Sequence, residues 1–110
     1  MYEIGDLIKH FKKETHFMIV DASENERVVS VFEKLELFFD TIDLSSIDGA
    51  GAPADIFVIF KKDDFNDIKA DMVSRGVRGG NILDLEGYLF SVEPTEIWLE
   101  RSGLNNLLMT

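Results

Sequence analysis

The hydrophobic pattern alternates between short, uninterrupted apolar runs and stretches where apolar residues recur every three or four positions. Two apolar runs, at 16–21 and 55–60, each lead directly into a helical pattern. A strand followed at once by a helix is the repeating unit of a parallel α/β sheet. Residues 55–60 show no polar alternation, which is typical of a central strand buried on both faces. The pattern therefore predicts two strands of a parallel sheet.

Helical periodicity predicts three helices around these strands. The first is an amphipathic helix over residues 2–14. The second begins at the capping-box sequence Ser23-Glu24-Asn25-Glu26, and its apolar residues continue at steps of three and four as far as Ile42. The third begins at residue 63 or 64 and ends at Gly76. We expect these helices to cover the sheet.

The intervening and later segments predict a loop and two more strands. Residues 44–54 are rich in Ser, Gly and Asp and are typical of a loop with one short helical turn. Residues 81–85 predict a third strand, and residues 87–92 predict a fourth after a tight turn at Glu86-Gly87. The sheet is thereby extended to about four or five strands.

The segment after Pro94 allows two interpretations. A helix from Thr95 to Leu108, interrupted at Gly103, is favoured over an edge strand at 97–99. Together the elements predict a single α/β domain over residues 1–110. Its N-terminal helix lies in residues 1–15, and residues 16–110 form a mainly parallel sheet with helices on both faces.

Composition and charge exclude several classes of protein. The 110 residues include no cysteine, so disulfides, thiolate metal sites and cysteine nucleophiles are excluded. The formal net charge of −10 disfavours direct binding to nucleic acid, because the chain repels a phosphate backbone. No apolar stretch approaches the ~20 residues that cross a bilayer, and the first residues lack a secretory signal pattern. We therefore expect a cytoplasmic protein that does not enter membranes.

An excess of acidic residues marks the middle of the chain. Residues 33–55 contain six acidic side chains and one basic side chain. Such a single-sign stripe steers a basic partner, although a solvated face that aids solubility has the same composition. The candidate partner-binding residues are Glu33, Glu36, Asp40, Asp43 and Asp48.

A second candidate site lies where the predicted strands end. Asp21 follows the first strand and Lys61 follows the strand at 55–60, so both belong at the carboxyl edge, where parallel sheets bind ligands. The alternative interpretation is that Asp21 only supports the turn into the next helix. No catalytic or metal site is predicted, since His10 and His16 lack zinc-ligand spacing and no serine lies in a nucleophile elbow. We expect no cofactor.

Three segments resemble parts of the receiver domain of response regulators. Residues 18–27 resemble its opening, residues 55–60 resemble the strand that carries the phosphoacceptor, and residues 88–96 resemble its last strand and helix. The resemblance extends over residues 17–108 and implies an α/β fold.

At the functional positions the chain departs from that family. The acidic pair of the family falls on Asp21 and Ala22, the acceptor aspartate on Phe60, and the lysine on Glu93. Without the nucleophile and the cation, aspartyl phosphorylation has no support. The resemblance therefore implies a degenerate receiver-like domain that serves as a docking surface.

The sequence leads to one main functional hypothesis and two alternatives. The main hypothesis is a non-enzymatic, acidic regulatory module that docks on a partner protein with a basic surface. The first alternative is an immunity or inhibitor protein that neutralises a nucleic-acid-binding enzyme. The second is a Rossmann-like binder of a nucleotide or sugar phosphate near Asp21 and Lys61. The sequence also allows a homodimer.

Overall fold

The computed structural model describes residues 2–48, 54–61 and 63–104. Within these residues the chain forms five helices, four strands and three single turns of 3₁₀ helix. The strands are β1 (Phe17–Val20), β2 (Phe39–Ile42), β3 (Ile56–Ile59) and β4 (Ile82–Asp84). The helices are α1 (Ile4–Ile8), α2 (Glu26–Lys34), α3 (Phe65–Ser74), α4 (Leu85–Leu89) and α5 (Thr95–Ser102). The 3₁₀ turns are Ala22–Glu24, Leu44–Ser46 and Gly79–Asn81.

The four strands form one sheet in the order β2-β1-β3-β4, and every pairing is parallel. In the register of the sheet, Phe17 lies between Phe39 and Ile56. From β1 the chain adds β2 on one side and then crosses to add β3 and β4 on the other side. The position between β1 and β3 is therefore the switch point of a doubly wound sheet. The predicted parallel α/β fold is confirmed, with four strands.

Helices cover both faces of the sheet, as predicted. Side chains of a strand alternate between the faces, so β1 and β3 contribute to two separate cores. On the first face the buried residues of α1, α2, α4 and α5 pack against the sheet; on the second face α3 and the segments around Ile47 and Val77 do so. The first core contains the strand residues Phe17, Ile19, Ile56, Val58 and Leu83, and the second contains Met18, Val20, Phe57, Ile59 and Ile82.

The prediction that the second helix extends to Ile42 is wrong, because α2 ends at Lys34. The backbone amides of Glu36 and Leu37 donate to the carbonyls of Glu33 and Phe32, at 3.0 and 3.1 Å. These are the two bonds of a Schellman motif, which closes a helix with one residue in the left-handed conformation. That residue is Glu36, with a φ of 55°, and the chain then enters β2.

The predicted strand at 87–92 and its turn are also wrong, since residues 85–89 form α4. Asp84 caps this helix, and its carboxylate accepts a hydrogen bond from the Gly87 amide at 2.9 Å. A β-carbon at Gly87 would lie 2.3 Å from Asp84 Oδ2, so glycine permits this close cap. The residues that resemble the last strand of a receiver domain are therefore mostly helical.

Two other predicted helices also differ from the structure, the first in its length and the second at its N-terminal cap. The first helix covers only residues 4–8, although Phe11 still reaches the core and is 3% exposed. The predicted capping box at 23–26 is not formed: Asn25 precedes α2 without a side-chain cap, and Ser23 lies in a 3₁₀ turn.

The other predicted elements are confirmed. Helix α3 ends before Gly76, which has a φ of 100°, and α5 ends at Gly103, with a φ of 79°. The helical turn in the 44–54 loop is Leu44–Ser46, whereas residues 49–53 of that loop and 105–108 of the last segment lie outside the described residues. No helix in the described part of the chain has the length and apolar character needed to cross a membrane.

Candidate functional site

The five acidic candidates lie within or near β2 along the chain. All of them are exposed. They do not share one helix face, as the predicted long helix would require. Glu33 is in α2, Glu36 is in the turn that follows, Asp40 is in β2, and Asp43 and Asp48 follow β2. The acidic residues are thus spread along the chain from the end of α2 to beyond the carboxyl end of β2.

β2 has an open edge among the described residues, because it pairs only with β1. The amides of Phe17 and Asp21 donate to the carbonyls of Phe38 and Ile42, at 2.9 and 2.8 Å. Backbone groups of successive strand residues point to opposite sides, so Phe39 and Thr41 direct their N–H and C=O groups away from the sheet. Such an edge is a template for another strand.

An exposed aromatic ring adjoins this edge. Phe38 is 57% exposed, yet its ring stacks on His16 with centroids 4.1 Å apart and an interplanar angle of 7°. His16 is buried, and its Nε2 lies 2.7 Å from Asp40 Oδ2. The main chain of His16 is also tied to Asp55, through a bond from its amide to Oδ2 at 2.9 Å. The ring of Phe38 is therefore held in place while most of it remains accessible.

We call this region the β2-edge surface. It consists of the outward backbone groups of Phe39 and Thr41 together with the side chains of Glu33, Glu36, Phe38, Asp40 and Asp43.

At the carboxyl end of β1, Asp21 supports a turn. Its backbone is left-handed, with a φ of 53°, and its Oδ1 accepts the amide of Leu44 at 2.9 Å. Its carbonyl accepts a hydrogen bond from the side chain of Asn25 at 3.2 Å. The carboxylate thus links the turn after β1 to the turn after β2. This is the structural role that the sequence offered as the alternative to ligand binding.

Lys61, the other candidate of this edge, forms an ion pair with Glu24 at 2.7 Å. The hydrogen bond and the charge of Glu24 raise the pKa of Lys61, and the charges of Asp21 and Asp64 act in the same direction. Asp21 and Lys61 both have partners within the protein. Ligand binding by these two residues stays a prediction.

A depression of about 390 Å³ lies beside them, between the carboxyl ends of β1 and β2. The described residues of its walls carry hydroxyl groups and one carboxylate but no cation, which is unfavourable for a phosphate ligand. The lining residues are Ala22, Ser23, Thr41, Ile42, Asp43 and Ser46.

The described residues include no group of three or more histidine or acidic side chains arranged to hold a metal ion. Neither the pairing of His16 with Asp40 nor the open edge of β2 is visible in the sequence. His16 and Asp40 are 24 positions apart in the chain, and the residues of β2 continue the helical spacing of α2. The exposure of Phe38 is visible only in three dimensions.

Comparison of the chain with protein-family models, with curated proteins and with solved structures gave no match. The receiver-like resemblance therefore stays a prediction.

Proposed function

We propose that this protein is a non-enzymatic interaction module whose β2-edge surface binds a basic, extended segment of a partner protein. The observation that carries the proposal is the coincidence of an open strand edge, exposed carboxylates before, within and after β2, and an exposed aromatic ring stacked on His16. An immunity or inhibitor protein that blocks a basic nucleic-acid-binding enzyme is one form of this function.

The backbone of β2 supports the extended conformation of the partner. Phe39 and Thr41 offer donors and acceptors to an added strand, which is the recognition mode called β-augmentation. Main-chain hydrogen bonds of this kind give affinity for many sequences, and adjacent side chains give specificity. The edge is four residues long, so it suits a short segment.

The charges support a basic partner. Acidic side chains occur before, within and after β2, whereas the segment 33–48 contains one basic residue, Lys34. Opposite charges accelerate the encounter of two proteins and fix the orientation of the added strand.

Phe38 supports a specific contact rather than a purely electrostatic one. Interface hot spots are enriched in aromatic side chains surrounded by polar residues, and holding the ring in advance lowers the entropic cost of binding. Phe38 is held by His16, with Asp40 bound to the same imidazole. Leu35, 42% exposed, adds apolar surface close by in the chain.

Glu36 gives independent support. Glycine is the usual residue at the left-handed position that closes a helix, because other side chains are strained there by roughly 1–2 kcal/mol. Strained residues concentrate at functional sites. The carboxylate at this strained position is exposed, so it is accessible to a basic partner.

The test is affinity capture from native lysate with three forms of the protein. The wild type is compared with a triple variant, Glu33→Lys, Glu36→Lys and Asp43→Lys, which leaves the His16 pair intact. The matched control carries Asp63→Lys, Asp67→Lys and Glu100→Lys. These three residues are exposed, lie outside the β2-edge surface and give the same change in net charge.

We expect the wild type and the control to capture the same basic partner, and the edge variant to lose at least about tenfold in affinity. A partner retained equally by both variants contradicts the proposed surface. Circular dichroism of both variants establishes that they fold.

A further inference from the structure

A second depression, of about 290 Å³, lies at the β4 end of the sheet, away from β2. It borders β4, and α3 and α5 form its walls. Among the described residues its lining includes two aromatic side chains, Phe65 and Trp98, two cationic ones, Lys69 and Arg101, and one carboxylate, Asp84, which caps α4. The depression is distinct from the β2-edge surface, because β2 and β4 are the two ends of the sheet.

Lys69 is one of the two cationic residues that line this depression. It is half-buried, and its Nζ lies 5.9 Å from the centroid of the Phe65 ring. A β-carbon at Gly79 would lie 3.5 Å from Lys69 Cε, so the stem of the lysine lies along that turn. Within the described residues, no carboxylate forms an ion pair with Lys69, although the chain has 21 acidic residues against 11 basic ones. Its positive charge is therefore available to an external anion.

Arg101 is oriented by an ion pair at the edge of the same depression. Its Nε and Nη2 donate to the carboxylate of Glu93, at 3.2 and 2.5 Å. A guanidinium has five N–H donors in a rigid fork, so the pair leaves donors for a further acceptor. Glu93 thereby limits the motion of Arg101, which lowers the entropic cost of binding.

The apolar part of the lining is formed by Trp98, Phe65 and Ile82, and Trp98 is held by packing in the core. Trp98 is 6% exposed and its ring contacts the buried ring of Tyr88, at a centroid distance of 5.1 Å. Phe65, in the first turn of α3, and Ile82, in β4, complete this part of the lining. Small-molecule sites combine such apolar surface with a few convergent polar groups.

We propose that this depression binds a small organic anion, with Lys69 at its phosphate or carboxylate group and Phe65 and Trp98 at its apolar body. The polar end of the ligand lies between Lys69 and Arg101. The proposal does not depend on the function proposed for the β2-edge surface.

The chain provides its own reporter, because Trp98 is the one tryptophan of the sequence. The experiment titrates the 110-residue protein with phenyl phosphate and follows tryptophan emission. Inorganic phosphate and phenol, titrated separately, represent the two halves of the probe. Amide shifts of Asp84 and Gly87 in nitrogen-15 spectra provide a second signal from the same lining.

Two variants locate the binding. Lys69→Gln removes the positive charge and keeps a polar, somewhat shorter side chain, and we expect the dissociation constant to rise at least about tenfold. Lys12→Gln is the matched control, since Lys12 is an exposed lysine outside this depression and outside the other candidate sites. We expect it to bind phenyl phosphate as the wild type does. Thermal melting establishes that both variants fold.

Three results overturn the proposal. The first is a titration without a saturable change in emission or amide shifts. The second is binding that Lys69→Gln weakens no more than Lys12→Gln does, which removes Lys69 from the binding site. The third is equal affinity for inorganic phosphate and phenyl phosphate, which removes the role of the aromatic side chains.

Discussion

Asp21 and Glu36 both adopt the left-handed backbone conformation, but their side chains differ in what they do there. Asp21 bonds through its carboxylate to the Leu44 amide, so the turn it forms is stabilised by its own side chain. Aspartate also tolerates this conformation better than most residues. Glu36 closes α2 with its backbone alone, and no hydrogen bond of its carboxylate is present among the described residues. Its local strain is therefore not offset.

We expect Glu36→Gly to increase the free energy of unfolding by about 0.5–1 kcal/mol, because the relief of strain exceeds the added flexibility of the unfolded chain. Glu36→Ala is the control, since it removes the carboxylate but keeps a β-carbon at the left-handed position. Urea denaturation of both variants measures the difference. Equal stability of the two variants contradicts strain at Glu36.

A buried tyrosine leads to a prediction about alkaline pH. Burial raises the pKa of Tyr88 above its ordinary value of 10.0, although the hydrogen bond with Thr95, at 3.0 Å, acts in the opposite direction. The folded protein therefore favours the neutral phenol. The corresponding stability is fully present below pH 10.0 and is lost as pH rises from there through the raised pKa of the folded state.

We expect the melting temperature to fall above pH 10 and Tyr88→Phe to show a shallower fall. In a Tyr2→Phe background Tyr88 is the one remaining tyrosine, so phenolate absorbance follows it alone. Ionisation of Tyr88 at or below its ordinary value would show that burial does not control this group.

At the scale of elements, β2 shows how packing overrides a periodic pattern. The spacing predicts a helix through Phe39, yet Phe39 lies in a strand and its ring contacts Phe32 of α2 edge-on, at a centroid distance of 5.7 Å. Phe32 also contacts Phe17 of β1, at 5.4 Å. The aromatic residues that look like one helical stripe in the sequence thus belong partly to α2 and partly to β2, and they meet in the core. No glycine or proline marks the boundary at Glu36, so the sequence has no stop signal.

The open edge of β2 predicts a selective effect of proline. We expect Thr41→Pro to lower stability only slightly, because proline is tolerated in edge strands where the N–H faces away from the sheet. It should nevertheless weaken partner capture at least about tenfold, because it removes a donor from the edge. Thr41→Val, which keeps the N–H, is the control. Undiminished capture by Thr41→Pro would show that the partner does not add a strand to β2.

At the scale of the whole molecule, net charge affects both stability and binding. The chain carries a formal charge of −10, and self-repulsion of this kind destabilises the compact state. The charges also attract a basic partner over a distance that salt shortens to about 10 Å at 0.1 M ionic strength. Salt therefore raises the stability of the free protein and weakens its attraction for a basic partner.

We expect the melting temperature of the free protein to rise by a few degrees between about 10 mM and about 300 mM NaCl, while the rate of partner association falls. The triple variant at Asp63, Asp67 and Glu100 is less negative and should show a smaller rise. Calorimetry and stopped-flow mixing measure the two effects. A melting temperature that falls with NaCl contradicts the role of self-repulsion.

The sequence by itself determined the parallel α/β class, because the buried runs of β1 and β3 and the helix signals after them are local patterns. It also determined the ends of α3 and α5, where Gly76 and Gly103 supply a backbone conformation that other residues resist. The acidic character of residues 33–48 follows from composition alone.

Only the tertiary structure decided where the chain leaves α2, that residues 85–89 are helical, and that Phe38 is presented on His16. Each depends on contacts between residues distant in the chain or on competition between a local pattern and packing. His16 and Asp40 meet because β1 and β2 are neighbours, and Lys69 and Arg101 line one depression because α3 and α5 meet beside β4. A one-dimensional pattern specifies which residues are buried, but the arrangement of elements specifies which side chains share a surface.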